Sequence, residues 1–155
     1  MSEKLTTVWC QADFPDDEIW DDDDHLVRTN GLNTATAVAE LLKSEGMELE
    51  GPIEHPEHGW ELLINWRKQH FWVQVTVTPA DEVAADEVII MTSHSYSSIF
   101  WRFRGEKSAY PEFLQILHNR LQADGRFHNL RWQPWIKNDQ LPGALSPTSP
   151  YPGPD

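Results

Sequence analysis

His55-Pro56-Glu57-His58, preceded by Glu54, gathers metal-capable side chains within five residues. Imidazole with carboxylate suits zinc or another divalent ion, and such a site would support metal-dependent hydrolysis. Pro56 forbids the helix that would present both imidazoles on one face, and the spacing is not that of a zinc protease. A turn between two strands is the plainer reading. Asp21 to Asp24 followed by His25 offers oxygen ligands for calcium or magnesium, without the alternate acids and sixth-position glycine of an EF-hand loop. Neither Ser93-His94-Ser95 nor Cys10 lies in a glycine elbow or a cysteine-protease signature. These residues assign no catalytic group, no cofactor and no metal set.

The stronger feature is charge. Eight of the twelve residues from Asp13 to Asp24 are acidic, and they supply most of a formal charge of -13. Carboxylates packed this closely repel one another, so the run asks for a cationic partner or a solvating role. A purely solvating tract carries few aromatics. Here Phe14, Ile19 and Trp20 stand among the acids, as apolar anchors that either dock the segment on its own domain or fill pockets on a basic partner. The candidate partner-binding residues are therefore Phe14, Asp16, Asp17, Glu18, Trp20, Asp21, Asp22, Asp23 and Asp24.

A chain of 155 residues that is 39% hydrophobic, with eight Trp, fits one core and a tail. One cysteine leaves no internal disulfide, which is compatible with the cytoplasm. Met-Ser-Glu-Lys lacks the apolar stretch of a signal peptide, and no apolar run approaches the ~18 residues of a membrane span. The net charge argues against nucleic acid, whose phosphates require a basic surface. Basic proteins are the expected partner class.

The positioning elements follow from periodicity. Ala35, Val38, Ala39 and Leu42 line one face of a helix over 32–45, with Asn30 or Asn33 as its cap and Gly46 as its stop. Met47 to Glu50 reads as a short strand broken by Gly51-Pro52. Trp60 to Trp66 and Phe71 to Val77 alternate as an antiparallel hairpin across a polar turn. Residues 79–86 read as an acidic linker, and Glu87 to Thr92 as a strand buried on both faces. Ile99 to Phe103 extends that edge or crosses it. Phe113, Leu114, Leu117 and Leu121 make the inward stripe of a helix over 111–123, followed by a short strand over 127–132. The expectation is an α+β domain over 1–137, with an antiparallel sheet of four to five strands and two helices on one face. Residues 138–155, rich in proline, read as a disordered tail.

Trp60, Trp66, Trp72, Trp101, Trp132 and Trp135 fall in or beside expected strands. Several on one face would stack sugars, as in a carbohydrate-binding module, whereas the plainer expectation is that most complete the core and Trp135 is the most exposed. Gly59-Trp60 opening a strand, Phe71-Trp72-Val73-Gln74-Val75, and the closing pattern Leu-His-x-x-Leu-x-x-Asp-Gly-Arg-Phe-x-x-x-Arg-Trp over Leu117 to Trp132 carry a resemblance. Over about two thirds of the chain it resembles small bacterial α+β proteins of the immunity type, encoded beside toxin genes in polymorphic toxin and type VI secretion loci. The resemblance implies a cytosolic, acidic inhibitor that occludes a toxin's active site. The acidic run and the proline tail lie outside it.

Overall fold

The structure is a computed structural model, and it describes residues 6–15, 17–55, 58–78, 86–94, 109–133 and 150. Its frame is a six-stranded antiparallel sheet with two helices, accompanied by a separate two-stranded ribbon. In chain order the elements are β1 (Thr7–Ala12), β2 (Ile19–Trp20), β3 (Leu26–Arg28), α1 (Leu32–Lys43), β4 (Glu48–His55), β5 (Gly59–Trp66), β6 (Gln69–Thr78), β7 (Asp86–His94), α2 (Ala109–Ala123) and β8 (Phe127–Gln133).

Alternation builds the centre. Trp60, Leu62 and Ile64 on β5 face the same side as Phe71, Val73 and Val75 on β6, and all six are buried. The two strands meet in register through Arg67-Lys68, both in the left-handed region at φ 52° and 63°. That is the two-residue turn whose twist matches the strands. Val88 and Ile90 of β7 continue the buried row, then Val8, Cys10 and Ala12 of β1, then Leu130 and Trp132 of β8.

The order across the sheet is β4-β5-β6-β7-β1-β8. β7 and β8 both run antiparallel to β1, hence parallel to each other, and the chain between them includes α2. The N-terminal strand thus fills a gap left by a crossover. Both helices cover one face: α1 packs on β4, β5 and β6, α2 packs on β8, and the two touch each other. Ala35, Val38, Ala39 and Leu42 of α1 and Phe113, Leu114, Leu117 and Leu121 of α2 are buried against the strand rows, with Phe71 stacked 4.7 Å from Phe113. Shortening any large member of this layer to Ala costs about 2–5 kcal/mol.

Several expectations are adjusted. The sheet has six strands: Thr7–Ala12, to which periodicity assigns no element, is a strand at the interior of the sheet. β4 continues through Gly51-Pro52 to His55, and a register shift between Glu50 and Ile53 absorbs the interruption. β7 is buried on one face only: Val88 and Ile90 are inside while Ile89 and Met91 are half-buried. Neither Asn30 nor Asn33 caps α1 with its side chain. The linker at 79–85, the segment 99–103, Trp101, Trp135 and the proline-rich tail apart from Pro150 lie outside the described residues.

Candidate functional site

The acidic run is two structures in one. Its first half is tied down and its second half stands out. Asp13 accepts from His128 Nε2 at 2.5 Å, and its backbone amide donates to the Arg126 carbonyl at 3.0 Å. Phe14 is half-buried, 5.5 Å from Phe127 and under the Arg126 guanidinium. Both contacts are to the strand end that β1 already pairs with, so this stretch closes the edge of the sheet.

Asp17 does the most structural work. Its Oδ1 accepts the amides of Gly31 at 2.8 Å and Leu32 at 3.3 Å, and its Oδ2 accepts that of Asn33 at 2.6 Å. Those are orphan donors of the first turn of α1, beside a Gly31 with no capping side chain and φ 109°. A carboxylate there satisfies the donors and sits at the positive end of the helix dipole. Arg28 Nε and Nη2 donate to the Asp17 carbonyl at 3.1 and 2.9 Å, and the Asp17 amide donates to Asn30 Oδ1 at 3.3 Å. Thr29 donates to Glu54 on β4 at 2.7 Å, and buried Trp60 donates to the Asn30 carbonyl at 3.2 Å. The base of the ribbon is therefore clamped to both helix and sheet.

Beyond this clamp β2 and β3 project as a small hairpin. Ile19 pairs with Arg28 and Trp20 with Leu26, leaving Val27 as an extra residue. Asp21 organises the turn: its Oδ1 accepts the amides of Asp23 and His25, both at 2.9 Å, and its Oδ2 lies 3.3 Å from His25 Nδ1. The His25 backbone bond, first among these, holds the Asp21 carboxyl below its ordinary range although the group is open to solvent. Asp24 takes the left-handed conformation at φ 60°, one that Asp tolerates better than most residues. Asp22 and Asp24 are exposed to solvent.

The apolar part of the hairpin is exposed as well. Trp20 is 54% exposed, Val27 56%, Ile19 41% and Leu26 38%, four of the six large apolar side chains exposed among the described residues. Trp20 Nε1 donates to Glu18 Oε1 at 3.0 Å, which fixes the indole edge and leaves the ring free for contact. Of the proposed partner-binding residues, then, Glu18, Trp20 and Asp21 to Asp24 share one projecting element. Phe14 and Asp17 serve the fold, and Asp16 lies outside the described residues. Leu26 and Val27 were not singled out from the sequence. Their signal was an apolar pair just beyond the aspartates, mirroring Ile19-Trp20 before them.

The alternative chemistries meet other surroundings. His55 Nε2 lies 2.9 Å from Glu61 Oε2, which also accepts from Trp72 Nε1 at 2.8 Å, while the His58 carbonyl accepts from Gln74 and Thr76. Glu57 lies outside the described residues. Among the described residues the one group with ligand atoms close enough to share an ion is Asp21, Asp23 and His25, all exposed. Trp60 and Trp132 are buried and Trp9, Trp66 and Trp72 half-buried, so Trp20 alone among the described tryptophans offers an open ring. Cys10 is buried, and burial pushes its thiol up to about 12. No described helix is long and apolar enough to cross a membrane. No protein-family model, no curated protein and no solved structure matches the chain.

Proposed function

We propose that this chain is a binding module that neutralises a basic protein, and that it does so as an immunity-type inhibitor acting in the cytoplasm on a cognate toxin. The β2–β3 hairpin is the contact element. One observation carries the reading: exposed Ile19, Trp20, Leu26 and Val27 flank a turn of four consecutive aspartates, on an arm clamped at its base by Asp17 and Arg28. Exposed carboxylates steer a cationic surface into encounter, and a held aromatic ring supplies the desolvated anchor that slows release. Clamping lowers the ordering cost on binding. Over a positive active-site cleft the arm would block substrate entry, and against a nuclease its carboxylates would stand where phosphates go.

The test is capture of the partner from the native cell with the full chain, followed by binding kinetics. Changing Asp21, Asp22, Asp23 and Asp24 together to Asn should lower the association rate at low salt by about tenfold or more and flatten its salt dependence. A captured partner that associates with the variant at the same rate and salt slope removes the arm from the mechanism.

A further inference from the structure

The other two large apolar residues exposed among the described residues, Ile53 and Leu63, are on β4 and β5, on the sheet face opposite the helices. A concavity of about 490 Å³ lies at this edge of the sheet, lined by Glu48, Glu50, Leu63, Asn65 and His70 of the outer face together with Leu49, Ile64 and Phe71. Glu48 stands opposite Asn65 and Glu50 opposite Leu63, with His70 beyond Asn65 on β6. Among the described residues no cation faces either carboxylate across the strands. Among the described residues the nearby turn does not supply one: Arg67 pairs with Glu112 on α2 and stacks 4.2 Å over Trp66, and Lys68 makes no ion pair. On the same face Glu61 is satisfied by Trp72 and His55, which makes the open state of Glu48 and Glu50 the more distinctive.

Two like charges on alternate residues of one strand repel, and here no cross-strand partner offsets the cost. Alternate residues stand about 7 Å apart along a strand, too far to close on one small ion. Consistent with that, Glu48, Glu50 and His70 do not form a group within metal-sharing distance among the described residues. An extended organic cation fits better. A guanidinium spans such a gap with donors on both sides, and its aliphatic stem would lie along Leu63. Leu63, 37% exposed, supplies the apolar wall such a stem needs.

We infer that this concavity on the outer face of β4, β5 and β6 receives an arginine side chain of a basic protein partner, with Glu48 and Glu50 as its carboxylate pair. The inference rests on the basic-partner reading and adds to it a second contact, away from the hairpin turn. β4 is the end strand of the sheet among the described residues and carries charge along its length, a feature that discourages self-pairing of sheets.

The experiment uses the full chain, labelled with 15N, and the peptide acetyl-Gly-Arg-Gly-amide, with the citrulline peptide as the uncharged isostere. The arginine peptide should produce saturable shifts in the amides of Leu49, Glu50, Leu63, Asn65 and His70, and the citrulline peptide should bind about tenfold more weakly or not at all. Glu48→Gln with Glu50→Gln should abolish the shifts without lowering the melting temperature, since both side chains are exposed and neutralising them relieves their mutual repulsion. Absence of saturable shifts, equal binding of citrulline, or full binding by the double variant overturns the proposal. Shifts that map instead to Asp21 to Asp24 overturn it as well. The variant with four aspartates neutralised separates the two readings. If it loses the partner while the peptide never binds the wild type, the pocket inference fails alone; if the peptide binds and the partner is indifferent to the arm, the arm fails alone.

Discussion

Asp17 closes the first turn of α1 from fourteen residues upstream of Gly31 and sixteen upstream of Asn33, accepting the Asn33 amide at 2.6 Å and the Gly31 amide at 2.8 Å. A residue that counts as one more negative charge in the sequence is the helix cap in the fold. It separates a structural half of the acidic run from an exposed half, and the two halves should respond differently to substitution.

Asp17→Ala should cost about 1–2 kcal/mol of stability, as expected for a lost cap, and Asp17→Asn about half as much because an acceptor remains while the charge at the dipole is gone. Asp22→Asn and Asp24→Asn should leave stability unchanged within about 0.5 kcal/mol. Urea unfolding of the purified variants checks this. Equal stability of Asp17→Ala and wild type would contradict the capping assignment.

Trp20→Ala should leave the melting temperature in place, since the ring is open to solvent, yet raise the dissociation rate of a captured partner by about tenfold or more with little change in association. Stopped-flow or surface-binding kinetics separates the two rates. A change confined to association would assign Trp20 to encounter and not to anchoring.

His118 is buried in α2 and its Nδ1 accepts the Trp132 indole at 3.1 Å. Burial lowers its pKa from 6.5, outweighing the opposing hydrogen bond with Gln122. The unfolded chain therefore takes up this proton more readily than the folded one, so stability rises with pH through this region. The contribution is complete above about pH 6.5, the unfolded value, and declines as pH falls below it. Between pH 7.5 and 5.5 the unfolding free energy of wild type should fall more steeply than that of His118→Gln, which keeps an acceptor for Trp132 and cannot take the proton. Parallel pH profiles would remove His118 from the acid response.

Gly59→Ala should cost about 3 kcal/mol or more, because Gly59 has φ 114° at the head of β5 and an added Cβ would overlap the Val75 carbonyl on β6. Gly46→Ala is the control, at φ 83° with open space around it, and should cost only about 1 kcal/mol. Thermal unfolding of the pair tests whether close approach, beyond backbone conformation alone, holds the Gly59 strand in place.

Cys10 should resist alkylation by iodoacetamide at pH 8 in the native protein and react once the chain is unfolded, because a thiol pushed up to about 12 by burial holds almost no thiolate. Mass spectrometry of the native and denatured samples reads this directly. Rapid labelling of the native protein would mean that β1 opens.

Local patterns made much of this protein legible in one dimension. The β5–β6 hairpin follows from Trp60, Leu62, Ile64 and Phe71, Val73, Val75 alternating across two polar residues, and the inward stripes of both helices follow from their 3.6-residue period. The excess of acid and the aromatic residues within it were equally plain. What required the tertiary structure was every relationship between distant residues. Thr7–Ala12 carries only a modest alternation, and pairing with β7 on one side and β8 on the other is what makes it an interior strand. The same holds for charge: Asp17 and Asp22 are chemically alike, yet one meets the open end of a helix and the other meets water. Glu48 and Glu61 differ in the same way, since cross-strand register supplies Glu61 with Trp72 and leaves Glu48 facing Asn65. Periodicity reports which side of an element is apolar, whereas a partner across space is set by strand order and register, which no window of sequence contains.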